Sequence, residues 1–272
     1  CSAGIEDFVT VGEMSSTSLE HCIRYSSPKE KELSMCFNFH HLKVDYKDGD
    51  KWTLAVPDYK KLKELFMQWQ LGMQAGGGWN ALFWCNHDQP RIVSRMGDEG
   101  DYWKESAKML AGMIHLMRGT PYIYQGEEIG MLNAHYSSIG QYRDVESLNY
   151  YQILLGKGRT EEEALRILAA RSRDNGRTPM QWNSGTYGGF SEAEPWLSLS
   201  GAFREEITAE FQKEDPDSIL SFYKMLISLR KKRSVIAEGT ISFLETGNDM
   251  TLAYERELVS DKIAVFCNLG KE

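Results

Sequence analysis

Short apolar runs alternate with amphipathic stretches along the first half of the chain. Residues 8–11, FVTV, read as a strand, and the polar residues 15–18 cap a helix predicted around residues 19–25. A second apolar run at residues 33–39 leads into a long connection. From Asp58, behind Pro57, the residues Leu62, Leu65, Phe66 and Trp69 recur at helical spacing, with Gly72 where a C-cap glycine belongs. Residues 81–85, ALFWC, form an unbroken apolar run suited to a strand buried on both faces. Ala107, Leu110, Ala111 and Ile114 then share one face of a helix that Gly119 ends, and residues 121–124 give a fourth strand running into Gln125-Gly126-Glu127-Glu128.

Four strands separated by helical segments, each strand ending in polar residues, predict consecutive parallel βα units: an α/β fold, barrel-like rather than a sandwich. Chemistry in such folds collects at the C-terminal ends of the strands. That singles out Glu13, residues 38–41, residues 86–88 and residues 125–128. After Gly130 come a Tyr-rich stretch, a helix opened by a Thr160/Glu163 capping box, and the irregular run RSRDNGRTPMQW, a connection long enough to be functional or lid-like. A further amphipathic helix from Asp217 carries Leu220, Tyr223, Leu226, Ile227 and Leu229 and ends in Lys/Arg. Three β runs at residues 240–244, 250–254 and 263–268, with a turn at Gly247-Asn248-Asp249, predict a small antiparallel module beginning near Ala237.

Composition narrows the function classes. The 272 residues are 42% hydrophobic and carry 31 Lys+Arg against 39 Asp+Glu, a net charge of −8, which describes a folded chain and not a disordered one. With no basic stretch beyond the cluster near Arg230, nucleic acid and anionic membrane are not expected partners. No apolar run approaches the roughly 20 residues that span a bilayer, and no signal-peptide pattern opens the chain. Cys1, Cys22, Cys36, Cys85 and Cys267 are odd in number and lack C-x-x-C spacing, so neither a disulfide framework nor a zinc site is expected, and a reducing cytoplasm is the predicted setting.

Glu13 follows Val11-Gly12 at one strand end and Asp88 follows Asn86-His87 at another, so two carboxylates are placed to face one site and to divide acid and base work. From spacing alone, helix caps or ion-pair partners remain the alternative. His87 suits a hydrogen bond to a hydroxyl; with His40 and His41 it lacks the helical His pair or the cysteines of a metal site. Gly76-Gly77-Gly78 precedes a strand instead of following one, so it is a flexible turn and no phosphate loop. A G-x-S-x-G elbow is missing, which removes the serine-hydrolase reading.

The blocks FVTVGEMSSTSLE, FWCNHDQPRIVSR, TPYIYQGEEIGM and SRDNGRTPMQW, in that order, resemble the α-glucosidase branch of the α-amylase family of glycoside hydrolases over essentially the whole chain. Within that branch, FNFHHLKVDYKDGDKW is most similar to the members that hydrolyse a phosphorylated disaccharide, trehalose 6-phosphate. The resemblance implies the C-terminal half of a (β/α)8 TIM barrel, strands five to eight, over residues 1–236, then the truncated start of an antiparallel β domain over residues 237–272. It makes Glu13 the general acid/base, Asp88 the carboxylate that fixes sugar hydroxyls and favours ring distortion, and His87 a ligand of the same ring. Arg173 and Arg177 close the pocket around the glucose, unless they form a surface ion-pair cluster. Glu127 and Glu128 read as structural residues on the last barrel strand, in a position that also allows a supporting role.

Oligo-1,6-glucosidases are typically acidic where this chain has His40-His41-Leu42-Lys43, so His40, His41 and Lys43 are expected to hold the phosphate. The plain alternative is that the imidazoles satisfy loop backbone and Lys43 is solvated. No cofactor is implied. The family's nucleophile sits in a G-F-R-x-D-type motif that this sequence does not contain, so the expected partner is the missing N-terminal half of the barrel. Alone, half a barrel exposes strand edges and apolar faces. Two other readings stay open: an oligo-1,6-glucosidase acting on neutral α-glucosides, and a catalytically silent barrel subunit.

Overall fold

The computed structural model describes residues 8–270. Four strands, β1 (Val11–Met14), β2 (Met35–Asn38), β3 (Asn80–Leu82) and β4 (Thr120–Pro121), form one parallel sheet in sequence order. The register sets Glu13 beside Phe37, Phe37 beside Ala81, and Ala81 beside Thr120. The strand expected at residues 8–11 lies three residues later. Thr10 and Ser34 exchange side-chain bonds with each other's backbone amides at 3.1 and 3.0 Å, and the ladder starts after them.

Helix α1 (Leu19–Ser26) begins at Ser18, whose side chain accepts from the His21 amide, and packs on α2 (Tyr59–Gly76). Gly72 is not the C-cap that its position after Trp69 suggests. It lies inside α2, where a Cβ would stand 2.4 Å from Leu19 Cδ2, so it lets α1 lie close. The helix ends a turn later at Gly77, in the left-handed conformation at φ 73°; the triple glycine is thus a helix end. After β3 come the short α3 (Ile92–Met96) and α4 (Trp103–His115), which buries Ala107, Leu110, Ala111 and Ile114 as expected. Strands β3 and β4 are shorter than their apolar runs because residues 83–85 and 122–124 leave the ladder for the site, although Phe83, Trp84 and Cys85 stay buried.

The long connection holds α5 (Val145–Gly156), α6 (Glu161–Arg171) with both halves of its capping box formed, the one-turn α7 (Asp174–Arg177) and α8 (Ala209–Lys213). Helices α9 (Ile219–Lys232) and α10 (Ser234–Glu238) lead to an antiparallel sheet of β5 (Thr240–Phe243), β6 (Thr251–Leu258) and β7 (Asp261–Asn268). Both later strands run longer than their apolar cores, since charged residues on β6 alternate with buried Leu252, Tyr254 and Arg256. Ile241, Leu252, Tyr254, Val265 and Cys267 join the same apolar cluster as Leu110, Met113, Ile114, Tyr223 and Leu226. The four described cysteines are buried free thiols; Cys1 lies outside the described residues. Among the described residues no helix is long and apolar enough to cross a membrane.

Candidate active site

Glu13, at the C-terminal end of β1, and Asp88, in the loop after β3, both line one cavity of about 290 Å³, together with Lys43, Lys51 and Arg173. A neighbouring cavity of about 240 Å³ shares Glu13 and Phe39 and adds His87, Phe37, Tyr122 and Tyr124, an aromatic floor beside the carboxylates. Glu13 is exposed, and among the described residues no side chain pairs with its carboxylate. Asp88 is held from two sides. Its amide donates to Asn86 Oδ1 at 2.8 Å, folding the loop back on itself, while its Oδ1 accepts from Arg177 Nη2 at 2.6 Å. His87 Nε2 stands 3.8 Å and Arg173 Nε 3.9 Å from the same oxygen.

The two arginines come from the turn at α7, and the structure shows why RDNGR forms it. Asp174 Oδ2 accepts from the backbone amides of Arg143 and Asp144 at 2.8 and 3.0 Å, which fixes the turn against the start of α5. Gly176 is the point of closest approach to the Asp88 loop: a Cβ there would meet the carbonyl oxygens of Asn86 and Gln89 at 2.7 and 2.8 Å. Tyr124 donates to the Gly176 carbonyl at 2.9 Å, and buried Arg91 donates to the Asn175 carbonyl at 3.1 Å. Docked in this way, Arg177 also donates through Nε to the His87 carbonyl at 2.7 Å and pairs through Nη1 with Asp144 at 3.4 Å. Both arginines therefore face Asp88, Arg177 in contact with it and the more exposed Arg173 at 3.9 Å.

The HHLK segment is a 3-10 turn, His40–Lys43, and its three polar residues part company. Lys43 is exposed, lines the larger cavity and donates to the Ser15 carbonyl at 2.8 Å. His41 is buried, its Nε2 2.9 Å from the Phe83 carbonyl and its ring among Phe66, Phe83 and Trp84; burial pushes its pKa down to about 4. His40 lies against Trp69 with ring centres 4.9 Å apart, and burial together with the nearby Lys43 charge also holds its pKa below the usual histidine range. Protonation of either imidazole is disfavoured, so Lys43 is the cation of this segment and His41 is not brought to the cavity.

Three acidic residues absent from the sequence-based candidates shape the cavity. Asp45 is buried and shared by Arg95, at 2.7 Å, and Arg171. Burial pushes its carboxyl up, but the two guanidinium groups outweigh that and leave it below the ordinary carboxylate range. Arg95 and Arg171, which also line the cavity, share this single carboxylate. Asp144, the N-cap of α5, holds Arg177 from behind, and Glu146 in the first turn of that helix accepts from Lys51. Lys51 and Asp45 lie within the segment FNFHHLKVDYKDGDKW that carries the resemblance; nothing in the spacing of Asp144 and Glu146 marks them. On the far side, Glu127 is buried in a 3-10 turn after β4, accepts from Tyr223 at 2.9 Å and is structural in its contacts.

The alpha-amylase catalytic domain matches residues 2–239. The chain belongs to the alpha-amylase family. It is 53% identical over 262 residues to the trehalose-6-phosphate hydrolase of Bacillus subtilis, covering 96% of this chain and 46% of that protein. The crystal structure of the Bacillus licheniformis trehalose-6-phosphate hydrolase superposes with a TM-score of 0.93 at 53% identity, over 96% of this chain and 47% of the other. A probable oligo-1,6-glucosidase of Bacillus subtilis is 43% identical over 268 residues, 98% of this chain and 47% of that relative. The chain thus spans about half the length of the relatives it matches. Its parallel strands and following antiparallel sheet are the C-terminal half of an alpha-amylase-family TIM barrel and the module after it.

Proposed function

We propose that this chain supplies the acid/base half of a retaining α-glucosidase site that hydrolyses trehalose 6-phosphate to glucose and glucose 6-phosphate. Glu13 protonates the glycosidic oxygen. His87 and Asp88, braced by Arg177 and Arg173, hold the hydroxyls of the glucose ring as its anomeric carbon gains oxocarbenium character. The attacking carboxylate comes from the N-terminal half of the barrel, since retention needs two carboxyl groups about 5–5.5 Å apart on opposite sides of the bond. The division into residues 1–236 and 237–272, barrel half and β domain, belongs to the same reading.

The observation that carries the phosphate is the cationic wall of the Glu13–Asp88 cavity. Lys43 has no carboxylate partner among the described residues, Lys51 and Arg173 meet on Glu146 with Arg173 also facing Asp88, and Arg95 and Arg171 share the single carboxylate of Asp45. A sugar phosphate dianion gains from that surplus of positive charge, and a neutral glucoside does not. The identity to the Bacillus subtilis trehalose-6-phosphate hydrolase supports the same choice. The neutral-glucoside reading draws on the 43% identity to the probable oligo-1,6-glucosidase and predicts no penalty when Lys43 is lost.

The test is glucose release from trehalose 6-phosphate by the chain alone and by the chain completed with the N-terminal half of the Bacillus subtilis relative. Activity in the completed protein that disappears in Glu13→Gln is the expected result. Lys43→Ala should raise KM for trehalose 6-phosphate far more than for p-nitrophenyl α-glucoside. Equal losses on both substrates would move the assignment to the neutral glucosides, and a folded, completed protein inactive on both would leave a silent barrel subunit.

A further inference from the structure

Glu146 is not among the residues proposed to touch substrate, yet one of its oxygens serves two cations of the cavity wall. Its Oε2 accepts from Lys51 Nζ at 2.6 Å and stands 2.9 Å from Arg173 Nε. All three side chains are partly buried, with 34% of Glu146, 23% of Lys51 and 37% of Arg173 exposed. Arg173 in turn faces Asp88. The carboxylate therefore ties the loop after β2, which carries Lys43 and Lys51, to the Asp88 end of the cavity.

We infer that Glu146 is a positioning residue for selectivity toward the phosphorylated substrate, acting through Lys51; the inference rests on the phosphate reading above. The loop itself is docked on α5 by other contacts. Trp52 stacks on Tyr150 with ring centres 4.5 Å apart and planes within 11°, and the Tyr150 hydroxyl donates to Asp50 Oδ2 at 3.4 Å. What Glu146 adds is the place of the ammonium group. The Lys51 ammonium also lies over the Trp52 ring, 4.6 Å from its centre, but a ring face does not fix the end of a stem with four rotatable bonds against the repulsion of Arg173 as a carboxylate at 2.6 Å does. Glu146 offsets one of the two positive charges of Lys51 and Arg173, and Arg173 also faces Asp88, so the arrangement fixes Lys51 at a wall whose remaining charge is that of Lys43, which no carboxylate among the described residues meets. Glu146 repels that dianion too, and the inference is that fixing the ammonium outweighs this repulsion.

The experiment compares Glu146→Gln with the parent in the enzyme completed by an N-terminal half, on trehalose 6-phosphate and on p-nitrophenyl α-glucoside. KM for the phosphorylated sugar should rise by about tenfold, several times more than for the neutral one, with the smaller effect on kcat. Lys51→Met should reproduce the selective rise, and the double variant should be no worse than Lys51→Met alone. A parallel rise in both KM values, or losses that add in the double variant, would reduce Glu146 to a general structural part. A fall in KM for the phosphorylated sugar would mean that its repulsion of the dianion dominates, and would overturn the inference. A parent enzyme that does not distinguish the two substrates would instead overturn the phosphate reading and this role with it.

Discussion

One guanidinium organises the glucose end of the site. Arg177 reaches Asp88, the His87 carbonyl and Asp144 through three different nitrogens, a planar fork that the point charge of a lysine does not reproduce. Arg177→Lys should therefore raise KM roughly tenfold for phosphorylated and neutral glucosides alike, the opposite of the selective effect expected at Lys43. Glu127 makes a separate prediction in stability. Burial pushes its carboxyl up from 4.5 to about 7, against the opposing hydrogen bond from Tyr223. The native chain then keeps a proton that the unfolded chain releases, so this contribution is complete below about pH 4.5 and is lost as pH rises to about 7. Its full size is on the order of 3 kcal/mol. Glu127→Gln should gain in melting temperature over the parent as pH rises from 5 to 8; a gap that does not vary with pH would contradict the assignment.

Glu13, His87, Asp88, Arg173 and Arg177 could be picked out of the sequence because each sits in a recognisable block. The fates of His40 and His41 could not, because adjacent letters do not say which imidazole turns into the core.

Among the elements, the one-turn α7 does most for the site while burying few large side chains. Its seat on the Asn86–Gln89 loop depends on the missing Cβ of Gly176, since the obstacles are two carbonyl oxygens of backbone and not movable side-chain ends. Gly176→Ala should cost about 1–3 kcal/mol in stability and, by shifting Arg177, lower kcat/KM on any α-glucoside; melting curves and kinetics read the two effects. Amphipathic elements such as α2, α4, α6 and α9 were legible from apolar spacing and capping residues. Their ends and the extents of β3 and β4 were not. Gly72 shows why: a glycine required for helix contact carries the same letter as one that stops a helix, and only the position of Leu19 separates the two.

The antiparallel sheet is tied to α4 and α10 by a charge that meets no counter-charge among the described residues. Arg256 on β6 is fully buried, and its guanidinium donates to the carbonyls of Leu116 at 2.8 Å, Ile236 at 2.7 Å, Gly239 at 2.6 Å and Thr240 at 3.1 Å. The Leu116 and Gly239 carbonyls cap the C-terminal ends of α4 and α10, where the helix dipole is negative, and Thr240 opens β5. Tyr254 adds a bond to the Met113 carbonyl at 2.7 Å. Arg256→Met leaves these acceptors unpaired in the interior and should cost about 3–5 kcal/mol, seen as a lower midpoint in thermal or denaturant unfolding. Nothing in the spacing of TLAYEREL announced this role, because an arginine in an alternating strand reads as an outward-facing residue.

Asp45 and Arg171 are 126 positions apart, and Arg256 reaches Leu116 across 140. Loops of that size close late, after local helices and turns have formed. During synthesis, Asp45 has only Arg95 to answer its charge until the chain has grown past α6, and the ends of α4 wait longer still for β6. The cavity wall therefore takes its final shape only after the parallel strands it stands on have been made.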